Sequence, residues 1–171
     1  NNEVSCDYNA GFVGALAVMA KRYGGQIIDN FPTPEERKVE YIITGKLLSG
    51  NQIAVYIYNK SGWPPTAPQL SFRYFTRPDT SVISYYNEGA TLSDLRPHGS
   101  GAYIEVSFAK GMIYIGSTSS SRKQTQLAFS HQDFLADWSA QGLTDTEKEL
   151  ENVSIYVDGK WAYGKEPPIV P

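Results

Sequence analysis

The sequence predicts a mainly β protein: an antiparallel β-sandwich preceded by one α-helix that lacks a helical partner. Three observations predict it. From residue 40 onward, short apolar–polar alternations recur between turn residues. Only one segment carries apolar residues at helical spacing over more than two turns. Tyrosine (12) outnumbers phenylalanine (7), the bias of half-buried strands whose rings pack while their hydroxyls stay wet.

The helix is expected over residues 10–22, AGFVGALAVMAKR. Phe12, Leu16 and Met19 share a face, Val13 and Ala20 lie beside it, and Lys21 and Arg22 suit the negative end of the helix dipole. Gly24 and Gly25 stop it. Residues 26–39, QIIDNFPTPEERKV, carry two prolines and unperiodic charges and are expected to be a linker. Ile27, Ile28 and Phe31 are too apolar for a solvated tether, so this linker should lie against the following domain. The strands then follow as EYIITGKLL and NQIAVYIYN, paired around Ser49-Gly50-Asn51, then QLSFRYFT, AYIEVSF, MIYIGS and KQTQLAF. In the second of these, Ile53, Val55 and Ile57 alternate with Ala54, Tyr56 and Tyr58. VSIYVDGKWAYG is a hairpin about Asp158-Gly159, a strong turn signal. LTDTEKELEN has room for one or two helical turns at most, and KEPPIVP ends the last strand. Three parts result: 1–25, the linker 26–39, and the sandwich 40–171.

The composition narrows the partners. Fifteen Lys and Arg against 18 Asp and Glu give a net charge of −3, and the basic residues do not cluster, so nucleic acid is not an expected partner. No stretch reaches transmembrane length, so no membrane partner is expected either. Cys6 is the single cysteine, which leaves no internal disulfide; without a Cys–His signature around it, an incidental thiol is the better reading than a nucleophile.

The opening, NNEVSCDYNAGFVGALA, resembles the second active-site signature of glycoside hydrolase family 9, the inverting cellulases, through Glu3-x-Ser5 and Asn9-Ala10. The resemblance implies that Glu3 is the general acid of a parent enzyme. It also implies that residues 1–25 are the last helix of that enzyme's (α/α)6 barrel. Inverting hydrolysis needs two carboxyl groups roughly 6.5–9.5 Å apart, one as acid and one to activate water. No second carboxylate in this chain is placed by motif to pair with Glu3, so the chain alone is expected to be inactive. The missing catalytic domain becomes an expected partner.

VYIYNKSGWPPTAPQLSFRYF, YYNEGAT, AYIEVSF and IYVDGKWAYGKEP resemble family 3 carbohydrate-binding modules, over residues 40–166. This implies a jelly roll of about nine strands and a secreted, extracellular bacterial protein that binds cellulose or single β-1,4-glucan chains. In the crystalline-cellulose binders of the family, an Asp-His pair and a tryptophan belong to a planar strip. Here SYYNEG stands where the pair would fall, and the tryptophan segment is shortened to AFSHQDFLADWSAQGL. Trp63, Trp138 and Trp161 read as core residues. The subgroup c modules are more similar, and they imply an accessory that feeds one glucan chain to the catalytic domain and stabilises it. Tyr85, Tyr86 and Glu88 of a YYNEG loop, with Arg122 and Gln124, are the candidate sugar contacts: Arg and Gln for hydroxyl groups, Tyr for a pyranose face.

The same resemblance implies a structural calcium. Thr76, Asp79, Asp133 and Asp137 are its candidate ligands, with Ala136 replacing the family's asparagine. Calcium takes six to eight oxygens, and the three aspartates with the Thr76 carbonyl would supply part of that shell. Two other readings stand beside the accessory module: a self-sufficient enzyme, and a structural spacer or interaction module that binds no sugar.

Overall fold

A computed structural model describes residues 6–24, 39–62, 66–115 and 118–169, without the side chains of residues 6–9 and 118. The chain divides into two compact units, Asn1–Glu36 and Arg37–Pro171.

In the first unit, helix α1 spans Cys6–Tyr23, starting four residues earlier than its apolar periodicity indicates. Lys21 and Arg22 sit in its last turn. Gly24 follows with a φ of 74°, the left-handed conformation that closes helices and that glycine adopts without strain. Phe12, Val13, Leu16, Val18 and Met19 are exposed. Glu3, the Cys6 side chain and residues 26–38 of the expected linker lie outside the described residues.

The second unit is the antiparallel sandwich that the alternating pattern predicts. Its strands are β1 Tyr41–Leu47, β2 Gln52–Asn59, β3 Leu70–Thr76, β4 Val82–Asn87, β5 Thr91–Leu92, β6 Arg96–His98, β7 Gly101–Phe108, β8 Arg122–Phe129, β9 Lys148–Glu149, β10 Ser154–Val157 and β11 Lys160–Tyr163. One sheet has the order β4-β8-β2-β1-β9; the other runs β11-β10-β3-β7-β5, with β6 also on β7. The inward residues follow the two-residue period. Ile53, Val55 and Ile57 of β2 and Leu70, Phe72 and Tyr74 of β3 belong to a single apolar core and are fully or almost fully buried. The β10–β11 hairpin turns through Asp158 (φ 48°) and Gly159 (φ 78°), two successive left-handed residues. Gly164, just beyond it, has a φ of 85°, and a Cβ there would lie 2.0 Å from the Val153 carbonyl oxygen.

Four local expectations are corrected. The described residues hold eleven strands rather than about nine: β5, β6 and β9 are too short to show a period, and β4 falls where a loop is expected. Residues 112–115 of MIYIGS form no strand; Ile113 is nonetheless buried, and its carbonyl accepts the Asn59 side-chain amide at 2.9 Å. The tyrosines of YYNEG lie in β4 rather than in a loop. LTDTEKELEN contains the edge strand β9 instead of helical turns, and two short 3-10 turns, Phe134–Ala136 and Trp138–Ala140, precede it.

The Tyr74 ring is buried and packs 5.1 Å from the Phe129 ring, yet its hydroxyl has no hydrogen-bond partner among the described residues. Burial, with the negative charge of Asp137, pushes that phenol well above its ordinary value. An unpaired buried hydroxyl costs about 1–3 kcal/mol. Tyr74→Phe keeps the ring and removes the orphan, so its melting temperature should equal or exceed the parent's. A clear loss in a thermal melt would mean that the hydroxyl has a bonding partner.

Candidate functional site

The residues that alternate outward from β2 build one face. Tyr56 and Tyr58 stand opposite Gln124 and Arg122 of β8 on one side, and opposite Thr44 and Ile42 of β1 on the other. Beyond β8, Tyr86 of β4 pairs with Gln126. The ladder slips between Ser84 and Tyr86, which leaves Tyr85 as an unpaired bulge residue, 65% exposed. Bulges re-aim side chains at sheet edges, and here two neighbouring tyrosine rings become exposed.

The structure brings four of the five expected sugar contacts together, Tyr86, Glu88, Arg122 and Gln124, with Tyr85 next to Tyr86 in β4. The Glu88 carboxylate accepts the Gln124 backbone N–H at 2.8 Å and the Tyr86 hydroxyl at 3.2 Å, while the Glu88 N–H donates to the Gln124 carbonyl at 3.1 Å. Glu88, Ser119, Arg122 and Gln124 line a recess of about 300 Å³. Tyr85 adjoins this network along β4, with its ring presented to solvent.

Arg122 is the hub. Its guanidinium lies 3.9 Å from the Tyr56 ring centroid and 5.6 Å from that of Tyr58, and one nitrogen is 3.6 Å from Glu147. The other oxygen of Glu147 accepts the Thr44 and Tyr58 hydroxyls, each at 2.6 Å. Burial alone would raise the Glu147 carboxyl, but these two hydrogen bonds and the Arg122 charge outweigh it and hold the group below the ordinary 4.5. Burial, then the bond to Glu147, raises the Tyr58 phenol. Tyr56, Tyr58, Thr44 and Glu147 are not among the expected site residues. The alternation of the two tyrosines with Ile53, Val55 and Ile57 already implies that both point outward. Glu147 precedes a two-residue strand and gives no such signal.

The opposite face, on the six-stranded sheet, is a second aromatic surface that the sequence reading missed. The Arg73 guanidinium lies 4.1 Å from the Tyr156 ring centroid and 4.6 Å from that of Tyr103, and its Nε donates to Glu105 at 3.0 Å. Burial, then a hydrogen bond to Glu166, pushes the Tyr156 phenol up to about 12. Trp161 stands across the ladder from Tyr156 and is 59% exposed, so its expected place in the core is corrected: β11 is an edge strand, and Trp161 shares the outward side of Tyr156. Trp138 is half-buried, and Trp63 lies outside the described residues.

The four expected calcium ligands occupy one corner of the sandwich, but not as a metal shell. The Arg77 guanidinium holds Asp79 through two nitrogens, at 3.1 and 3.2 Å, and grips both oxygens of Asp133 at 2.9 and 3.0 Å. Asp137 is buried; it accepts the Thr76 hydroxyl at 2.5 Å and faces His131 Nε2 at 3.1 and 3.2 Å. Among the described residues, no group of three or more Asp, Glu, His and Cys side chains is arranged to hold a metal ion. The residues present do not fit calcium.

A group whose pKa is lowered on folding contributes stability above its unfolded value and loses it as the pH falls through the folded one. Glu147 is such a group. Glu147→Gln should therefore melt below the parent at neutral pH, and the gap should shrink as the pH drops from about 6 to about 3. A gap that stays constant in pH-dependent melts would remove Glu147 as the stabilising partner of Arg122.

Residues 38–164 match the family described as "Cellulose binding domain", the family 3 carbohydrate-binding modules. Endoglucanase A of Bacillus pumilus is 32% identical over 194 aligned positions, which cover 98% of this chain and 29% of the relative. In the crystal structure of endoglucanase CelQ from Clostridium thermocellum, complexed with cellobiose and cellotriose, the similarity covers 95% of this chain and 32% of that one, at a TM-score of 0.74 and 25% identity. A scaffoldin carbohydrate-binding module of family 3b from Bacteroides cellulosolvens shares the fold, at a TM-score of 0.57 and 21% identity over 78% of this chain and the whole of the other. The chain thus spans less than a third of the endoglucanases it matches. With most of its length matched by the family model and its sandwich shared with solved members, the chain belongs to the family 3 cellulose-binding domains, which are non-catalytic carbohydrate-binding modules.

Proposed function

We propose that this chain binds a single β-1,4-glucan chain along the outward face of its five-stranded sheet and feeds it to the catalytic domain of a secreted bacterial endoglucanase of glycoside hydrolase family 9. The observation that carries the reading is the exposed Tyr85–Tyr86 pair beside the recess lined by Glu88, Arg122 and Gln124. Two rings at one edge suit one or two pyranose faces, and the amide and guanidinium donors suit the hydroxyls of a solvated chain. Tyr56 is covered beneath Arg122, which breaks the run of coplanar rings that an ordered cellulose surface would favour. The resemblance of Glu3 and its surroundings to the family 9 signature supports the choice of catalytic partner. The endoglucanase relatives support the enzyme context, and an insoluble polymeric substrate supports action outside the cell.

The exposed Trp161 across from Tyr156 favours a second reading, in which the six-stranded sheet holds the sugar. Affinity electrophoresis in soluble hydroxyethylcellulose, with pull-down on amorphous and microcrystalline cellulose, separates the two. Tyr85→Ala combined with Tyr86→Ala should weaken retention roughly tenfold, the loss of about 1.4 kcal/mol, while Trp161→Ala leaves it unchanged. The reverse pattern would move the site to the other sheet. A parent chain that no glucan retards would leave a structural spacer. Chain feeding has its own readout: detaching the module from its catalytic domain should shift hydrolysis from soluble oligosaccharides towards random internal cuts.

A further inference from the structure

We infer that the corner where this family resemblance implies calcium is closed by the protein's own side chains, so that Arg77 and His131 hold together the segments a metal ion would otherwise join. Three loops meet there: the one after β3, carrying Arg77, Asp79 and Thr80; the one after β8, carrying His131 and Asp133; and the junction of the two 3-10 turns, which carries Asp137. A bound calcium would gather carboxylate and carbonyl oxygens about one point at 2.3–2.6 Å. The guanidinium does this work from a plane. Its Nε and one terminal nitrogen face Asp79, and its other terminal nitrogen faces Asp133, so one arginine cross-links two loops.

The buried carboxylate is closed off separately. Both Asp137 oxygens face His131 Nε2, one of them also accepts the Thr76 hydroxyl, and His131 Nδ1 lies 2.7 Å from the Thr80 hydroxyl. The imidazole is fixed at both nitrogens and stands edge-on to Phe129, with ring centroids 6.0 Å apart. Three carboxylates therefore already have partners, two of them on a permanent cation. A calcium ion entering here would have to displace Arg77 from Asp79 and Asp133, and His131 from Asp137. The module's stability should then be independent of calcium, a property suited to chelating or calcium-poor surroundings.

The test is a thermal melt of the parent chain in EDTA and in about 10 mM calcium chloride, a concentration that saturates a site of the millimolar affinity usual for extracellular modules. The two melting temperatures should coincide, and isothermal titration with calcium should show no heat of binding. A rise of about 2 °C or more with calcium would overturn the inference. Arg77→Gln removes the cross-link. It should melt several degrees below the parent in EDTA; a variant as stable as the parent would overturn the role of Arg77. Arg77→Lys keeps the charge but cannot span two carboxylates in one plane, and it should melt between the parent and the glutamine variant. It answers the question if the glutamine variant does not fold, since parental stability in Arg77→Lys would equally remove the need for the fork.

Discussion

The register of β2 between β1 and β8 is the constraint on which the rest depends. β2 is hydrogen-bonded on both edges, and its side chains divide by parity: Ile53, Val55 and Ile57 enter the core, while Ala54, Tyr56 and Tyr58 lie on the other side of the sheet, with Tyr56 covered by Arg122. A slip of one residue would exchange those sets, driving two phenols into an apolar core and three aliphatic chains into water. The same register places Arg122 and Gln124 beside the two tyrosines, so the core and the outer face are fixed by one pairing. Truncating either of those buried isoleucines to alanine removes about 2–5 kcal/mol, a large part of a small domain's stability.

Arginine recurs at three places where this sandwich carries negative charge on its surface. Arg122 stacks on Tyr56 and reaches Glu147; Arg73 lies between Tyr103 and Tyr156 and pairs with Glu105; Arg77 spans Asp79 and Asp133. A guanidinium is planar and weakly hydrated, so it covers a ring and donates from its edge at the same time, which an ammonium cannot do. Isolated surface ion pairs contribute little, on the order of 0–1 kcal/mol. These three contribute by ordering loops and rings together, because each joins segments far apart in sequence.

The two outer faces differ in what they offer a polysaccharide. On the five-stranded sheet the exposed rings, Tyr85 and Tyr86, are at the β4 edge, while Tyr56 and Tyr58 in the middle lie against Arg122. On the six-stranded sheet the arginine is sandwiched between tyrosines, and the most exposed ring is Trp161 on the edge strand β11. Among the described residues, neither face presents a continuous plane of aromatic side chains.

The sequence alone determined the sandwich, its long strands and the β10–β11 turn, because a period of two and an Asp-Gly pair are local properties that need no tertiary partner. It also marked Tyr86, Glu88, Arg122 and Gln124, which the fold gathers on one face, and Tyr85 beside them in β4. Only the tertiary structure decided the rest. β5, β6 and β9 exist because a neighbouring strand offers them hydrogen bonds, not because two or three residues prefer to be extended. Trp161 is exposed because β11 is an edge, which no alternation reveals. Glu147 joins Arg122, Thr44 and Tyr58 from distant points of the chain, and Arg77 takes the aspartates that the family resemblance suggested for calcium. Charge pairing acts through space, so a reading of donors along the chain cannot show which cation reaches them first.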